Sequence, residues 1–390
     1  MYEVIIIGAG ASGLMCALEA GKRGRKVVVL DHAKKPGSKI LISGGGSCNY
    51  TNYYVEPENF ISSNPHFCKS AINRYTQWDF IEFINKHNIS FHEREHGQLF
   101  CDGKASQVVD ALVEECKQQG VVFKYKTEIE YIVKTGVGFD ITTDGGDFQS
   151  EVLVVATGGL SIPNIGASPF GYKIAEQFNI PIISPKAGLV PLTLHNQDKE
   201  RFSDLSGIAV DATVGLGDVS FRENVLFTHR GLSGPAILQL SSYWNPGETV
   251  EIDLLPDCDL LEHLKELKDQ GVKKVVHNVL GELLPNRLVD RLLDENLRNK
   301  SIQDLSNQDV SSIAEQFNCW QIKPNGTEGY RTAEVTVGGV DCDHISSKTM
   351  EAKGVKGLYF IGEVLDVTGW LGGYNLQWAW SSGWCAGQFV

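Results

Sequence analysis

The chain has 390 residues, 42% hydrophobic and 21% charged, which is globular composition and excludes disorder, collagen-like repeats and a disulfide-dense small scaffold. A formal charge of −13 disfavours phosphate backbones, so the expectation is a protein that does not bind nucleic acid. Nine cysteines, an odd number with no Cys-x-x-Cys pair, argue against disulfides, zinc or iron–sulfur sites and fit a reducing cytoplasm.

Residues 4–7 are a continuous apolar run, as in a strand buried on both faces. Leu14, Ala17, Leu18 and Gly21 follow at helical spacing, and 26–30 is a second buried strand, which makes a βαβ start to a parallel sheet. The apolar run stops at Gly8 and no basic leader precedes it, so neither a secretion signal nor a membrane anchor is expected. Residues 32–60 read as mostly loop, with Gly-Gly-Gly at 44–46. Amphipathic helices are predicted over 68–87 and 105–119, and a third strand over 121–125. Residues 129–133, 137–143 and 148–156 read as a β-meander with a hairpin turn at 144–147.

The character changes near Pro191. Residues 191–257 are strand-rich and consistent with a small barrel, and 259–318 are helical, with stripes at Leu260, Leu264 and Leu267 and at Val276, Leu280 and Leu283. Pro285 interrupts that run. Strand character returns over 319–340, and the last fifty residues resume the buried-strand and glycine-turn pattern of the start. The expected plan is one nucleotide-binding domain, 1–190 with 335–390, interrupted by an insert at 191–334.

Gly8-Ala9-Gly10-Ala11-Ser12-Gly13 follows a strand and opens a helix, the context a dinucleotide fingerprint requires. Gly8 serves the tight turn, Gly10 the approach of a pyrophosphate, and Gly13 close helix–strand packing, while the helix N-terminus supplies free N–H groups. Asp31, ending the second strand, can accept both ribose hydroxyls of an adenosine. The fingerprint does not separate FAD from NAD. Two further strands end in Ala156-Thr157-Gly158-Gly159 and Gly362-Glu363, and Gly372-Gly373-Tyr374-Asn375 opens a last helix. A ligand that meets both chain ends must be long, which favours FAD. No second GxGxxG follows a strand, so a separate NADPH domain is not expected.

These residues resemble the HI0933-like flavoproteins over nearly the whole chain. The resemblance rests on the first fingerprint, on Ser43-Gly44-Gly45-Gly46-Ser47-Cys48-Asn49-Tyr50-Thr51-Asn52, on Thr228-His229-Arg230-Gly231 and on Val335-Thr336-Val337-Gly338-Gly339. It closes with Gly362-Glu363-Val364-Leu365-Asp366 and Gly373-Tyr374-Asn375-Leu376. It implies an α/β fold: a Rossmann-like GR2-type FAD-binding domain interrupted by a β-barrel plus helical insert. By similarity the SGGG loop lies along the FAD, and the GE and GGYN elements reach its ribityl and isoalloxazine end. The cofactor set expected on these grounds is Gly8, Gly10, Ala11, Ser12, Gly13, Asp31, His32, Lys39, Ser43, Gly44, Gly45, Gly46, Asn49, Thr51, Asn52 and Ile129, then Ala156, Thr157, Gly158, Gly159, Gly362, Glu363, Asp366, Gly373, Tyr374, Asn375 and Leu376. Many relatives carry Arg where this chain has Ser47.

The glycines of the SGGG loop can present N–H groups to an anion, and Ser43, Asn49, Thr51 and Asn52 offer short uncharged partners. Lys39 can neutralise a phosphate or stand solvated, and Glu363 can take hydroxyls of a sugar alcohol. Cys48 reads as a buried, inert thiol, and His229, Arg230 and Arg331 as substrate contacts or structural groups. No metal site is expected, and no catalytic acid or base follows from the residues.

The expected function is hydride transfer between noncovalent FAD and a small molecule, with NAD(P)H as a transient reductant. Two other readings stand beside it: a flavin-dependent RNA-modifying protein, and an FAD-binding redox sensor without turnover.

Overall fold

The computed structural model describes residues 1–390. The chain divides into two compact units, one of Met1–Ala187 with Glu334–Val390, the other of Gly188–Ala333.

The first unit is built on five parallel strands in the order Val122–Tyr125, Val27–Asp31, Tyr2–Ile7, Gly146–Val155 and Leu358–Phe360. Ile5 stands opposite both Val28 and Leu153, and Val154 opposite Tyr359. These strands are unbroken apolar runs because both faces of the sheet are covered, and Val4, Ile5, Ile6, Val28, Val29 and Val154 are fully buried. Gly146–Val155 does double duty. Its first half pairs antiparallel with Phe139–Thr143, which continues to Ile129–Lys134, and its second half joins the parallel sheet.

The N-terminal helix Ala11–Lys22 packs on the C-terminal helix Tyr374–Gly387 through glycine. A Cβ on Gly383 would lie 2.4 Å from the Ser12 carbonyl oxygen, and one on Gly387 would lie 2.5 Å from Glu19 Cβ. The Arg23 guanidinium caps the end of that last helix, donating to the carbonyls of Gly387 at 3.0 Å and Val390 at 2.9 Å. Trp380 stacks on Phe80 at 4.2 Å between centroids, and its indole N–H donates to the Tyr50 carbonyl.

Two expectations need correction. The helix expected over 68–87 is two helices, Lys69–Arg74 and Gln77–Lys86. Thr76 and Asp79 form a capping box there, and its side-chain bonds start a new helix where apolar spacing alone would continue the old one. The loop expected over 32–60 contains a short helix, Ser38–Ile42, and a strand, Asn49–Asn52. That strand pairs with Gln98–Cys101, which pairs with Phe91–Arg94, in a separate three-stranded antiparallel sheet.

In the second unit seven antiparallel strands run in the order Trp320–Ile322, Val250–Asp253, Ala209–Leu216, Val219–Phe227, Gly231–Ser233, Leu192–Thr193 and Gly326–Thr327. Five helices lie between Leu260 and Asn318. Leu260, Leu264, Val276, Leu280, Leu288 and Leu292 form their core, whereas Leu283 falls beyond the end of Val276–Gly281 and is exposed.

The helix–helix crossing gives a direct test. Gly383→Leu should lower stability by about 1–3 kcal/mol, the range for forcing extra carbons into a packed site. Gly354→Ala, where nothing lies within 4 Å of the new carbon, should be near neutral. Thermal melts of the two variants against wild type read the difference.

Candidate dinucleotide-binding site

Three glycine turns gather at the C-terminal edge of the parallel sheet. The first follows Tyr2–Ile7. Gly8 has φ +109°, and a Cβ there would lie 2.3 Å from the Ala156 carbonyl oxygen. A Cβ on Gly13 would lie 2.0 Å from the Gly8 carbonyl oxygen, whereas nothing lies within 4 Å of one on Gly10. The first and third glycines therefore let backbones touch, and the second keeps the helix entrance clear. The first helical bond runs from Leu14 N to the Gly10 carbonyl, so the N–H groups of Ala11, Ser12 and Gly13 have no intrahelical partner.

Asp31 ends the second strand and reaches back to this turn. Its Oδ2 accepts from Ala9 N at 2.6 Å and its Oδ1 from Ala33 N at 2.7 Å. The carboxylate thus braces the turn and keeps further lone pairs on both oxygens. His32 beside it is half exposed. Ile129 begins its strand two residues after Thr127, whose N–H donates to the Asp31 carbonyl at 3.0 Å.

At the second turn Gly158 has φ +72°, and a Cβ on Gly159 would lie 2.5 Å from Thr336 Oγ1. The same hydroxyl accepts from Leu160 N and Ser161 N. Glu363 joins the group from the far end of the chain. Its Oε2 is 2.5 Å from Lys39 Nζ, and its Oε1 accepts from Thr336 N at 3.0 Å and from Ser161 Oγ at 3.1 Å. Lys39 Nζ also reaches Ser161 Oγ at 2.6 Å. Lys39 and Glu363, each read from sequence as facing a ligand, are thus paired with each other. Ser161 and Thr336, which hold the pair, carried no signal beyond standing near two glycine pairs. Gly362 packs on the first turn, since a Cβ there would lie 2.4 Å from Ser12 Oγ. Thr157 Oγ1 is buried with no protein partner.

The SGGG loop and the GGYN turn meet each other. A Cβ on Gly373 would lie 2.3 Å from the Thr51 carbonyl oxygen. Thr51 Oγ1 bonds Gln377, Asn52 Nδ2 bonds the carbonyls of His96 and Gly372, and Asn49 bonds Gln98. Ser43 Oγ donates to the Ile40 carbonyl, Asp366 holds Ser63, and Asn375 holds Gly369 and Trp370. These polar side chains bind the loops together. Open space borders the backbone instead: nothing lies within 4 Å of a Cβ on Gly45. Tyr374 is buried edge-on against Phe60, and Leu376 is partly buried. His229, Arg230 and Arg331 belong to the second unit, where Arg230 approaches Glu328 at 3.7 Å.

Cys48 is fully buried in the left-handed conformation, φ 54°. A hydrogen bond with Cys101, and then burial, push its thiol up, and the same bond brings the Cys101 thiol down.

The fold and these turns define a Rossmann-like α/β protein of the FAD-binding type. The model of the HI0933-like protein Rossmann domain matches residues 2–389, and the chain belongs to that family. It is 54% identical over 389 residues to the ribosomal RNA dihydrouridine synthase of Escherichia coli K12, covering 99% of this chain and 97% of that protein. It is 50% identical over 386 residues to the Haemophilus influenzae protein of the same name, covering 97% and 96%. Among solved structures, the Mycobacterium smegmatis Sdh1 complex in the apo form shares the fold, with a TM-score of 0.50, 15% identity and coverage of 99% of this chain and 67% of that one. An enzyme is the class these relatives define for the chain. No helix is long and apolar enough to cross a membrane.

The relatives overturn two expectations. A small-molecule substrate and the exclusion of nucleic acid do not stand against end-to-end relatives at 54% and 50% identity that are named for ribosomal RNA. Both expectations leaned on the net charge of −13, a whole-molecule sum that says nothing of where on the surface a polyanion is met.

Seven of the nine cysteines are buried, Cys258 is intermediate and Cys319 is exposed. Partial burial, and then nearby carboxylates, raise both of the latter thiols. Alkylation of the folded protein should modify Cys319 first and Cys258 next, faster as pH rises and thiolate forms. Peptide mass mapping that found Cys48 labelled as early would refute the burial of its thiol behind the SGGG loop.

Proposed function

We propose that this chain is a flavin-dependent enzyme that reduces a uridine of ribosomal RNA to dihydrouridine. The observation that carries the reading is the 54% identity, across 99% of the chain, to an enzyme named for that reaction. The glycine turns support the flavin part. The clear entrance at Gly10 and the open border at Gly45 suit a long phosphate-bearing ligand along the sheet edge.

In this reading FAD is held noncovalently. The Gly8–Gly13 turn and the helix entrance behind it take the pyrophosphate, and Asp31 offers its remaining lone pairs to the adenosine ribose. Lys39 neutralises Glu363, so no bare carboxylate faces the phosphates. The SGGG loop and Gly372–Gly373 border the isoalloxazine end, where the entrance of Tyr374–Gly387 stabilises developing negative charge. Bound FAD, once reduced by NAD(P)H, would supply a hydride to one carbon of the uracil C5–C6 bond, and a proton added at the other carbon would complete dihydrouridine and leave oxidised FAD. NAD(P)H is the proposed electron source. A uracil must leave its stack to reach such a site, which favours a loop or bulge of the RNA over a duplex. The domain plan of 1–190 with 335–390 around 191–334 is likewise our reading, and the two compact units support it.

Deleting the gene should remove dihydrouridine from ribosomal RNA, and restoring it should return the nucleoside, as read by mass spectrometry of RNA digests. Unchanged dihydrouridine would sink the proposal. Asp31→Ala should weaken FAD about ten- to hundredfold, since a hydrogen bond to a charged group contributes roughly 1.5–3 kcal/mol and about 1.4 kcal/mol is tenfold. Flavin fluorescence titration of apo protein, with far-UV circular dichroism as the fold control, measures it.

A further inference from the structure

We infer that one face of the three-stranded sheet, where exposed His92 and Arg94 lie over the buried Phe100 ring, together with Tyr54 and Trp78 at its end, is a stacking surface for unpaired nucleotides beside the target uridine. The inference rests on the ribosomal-RNA reading above and assigns the surface that reading lacks.

Four observations carry it. The first is register. His92 stands opposite Phe100 and Arg94 opposite Gln98, so these four share a face, while Phe91, Glu93, Leu99 and Cys101 take the other. The acid within the strand is thereby turned away from the cation.

The second is planarity. The Arg94 guanidinium carbon lies 4.0 Å from the Phe100 ring centroid, and the His92 ring lies 6.1 Å from it at 16°. Arg94 Nε donates to His92 Nε2 at 3.1 Å, and Asp102 holds the other side of that imidazole at 2.7 Å. Both His92 and Arg94 are exposed, so flat groups are fixed in place at the surface, which is what an unstacked base needs.

The third is exposed aromatic area. Trp78 is 56% and Tyr54 is 63% exposed. Trp78 is held flat on Tyr53 at 5.5 Å and 28°, and the Tyr54 ring packs over Gly97, at the turn between the strands of Arg94 and Gln98.

The fourth is continuity. A Cβ on Gly44 would lie 2.6 Å from the Phe100 ring, and one on Gly372 would lie 3.0 Å from Gln98. The strip therefore begins where the SGGG loop and the GGYN turn meet. A nucleotide stacked on it is a neighbour of one that enters between those loops.

Charge favours this mode over a diffuse one. A chain of net charge −13 has no long-range pull on a polyanion, so affinity must come from short-range stacking and a few placed cations. One arginine in the strip also implies a shallow salt dependence.

The test uses the FAD-loaded full chain, an unmodified ribosomal RNA transcript and variants Arg94→Ala, Trp78→Ala and Tyr54→Ala, with Trp78→Phe as the conservative control. Each alanine variant should raise KM for the transcript by roughly five- to a hundredfold, the range for losing one base–aromatic stack. The kcat at saturating RNA, flavin content and flavin bleaching by reductant should stay at wild-type values, and Trp78→Phe should recover most of the affinity. If wild type modifies the transcript and the alanine variants keep its KM, the surface is overturned and the RNA reading stands. A KM that rises on ribosomal subunits but not on the naked transcript assigns the face to a protein partner and also overturns it. If wild type modifies neither RNA nor subunits, the proposed function falls and this surface with it.

Discussion

Close backbone approach at the edge of the parallel sheet is the constraint on which the site depends. The carbonyl of Ala156 sits where a Gly8 side chain would be, the carbonyl of Gly8 where that of Gly13 would be, and the carbonyl of Thr51 where that of Gly373 would be. Each contact joins segments far apart in the chain or folds a turn onto itself, and none survives an added methyl group without backbone movement. The last helix reaches the first by the same device, through Gly383 and Gly387. Glycine is thus placed where strands end and helices cross, so that both ends of the chain meet at one sheet edge.

The charged groups follow from that closeness. Lys39, Ser161, Thr336 and Glu363 come from four separate segments and satisfy one another in a partly buried cluster. A buried ion pair gives little net stability by itself, because desolvation offsets much of the attraction. Its value here is positional. It ties the short helix Ser38–Ile42, before the glycine triplet, to the strand end that carries Gly362, and it leaves no net charge beside the turns. Asp31 acts similarly at the other end, fixing Ala9 and Ala33 by their N–H groups.

The parts of this molecule that were legible in the sequence are those set by burial and by backbone sterics. Residues 4–7, 26–30 and 152–155 could be read as inner strands because burial on both faces demands unbroken apolar runs, and the glycine turns because φ and approach demand that residue. The break at Thr76 was not legible, since a capping box competes with helical spacing over only four residues. Nor was the three-stranded sheet: Asn49–Asn52 and Phe91–Arg94 are only four residues each, mostly polar or charged, and each pairs with Gln98–Cys101. Thr51, Asn52, Asp366 and Asn375 were expected to bind the cofactor, and composition could not show that the side chain of each would be engaged by a protein partner. Lys39 and Glu363 illustrate the same limit, because pairing across 324 positions leaves no local trace.

The expectation of a small-molecule substrate fails for a different physical reason. Net charge measures a field that salt screens within a Debye length of about 8 Å at physiological ionic strength. It bears on how fast and how indiscriminately a protein meets a polyanion, and much less on whether one nucleotide can be held once there. An enzyme that acts on one base within a structured RNA has little use for indiscriminate attraction, since every other phosphate would compete for it. An acidic surface suppresses that competition, and the proposed strip of flat groups would supply contacts that only an unstacked base can use. Under the proposed function, a charge of −13 acts for specificity rather than against RNA.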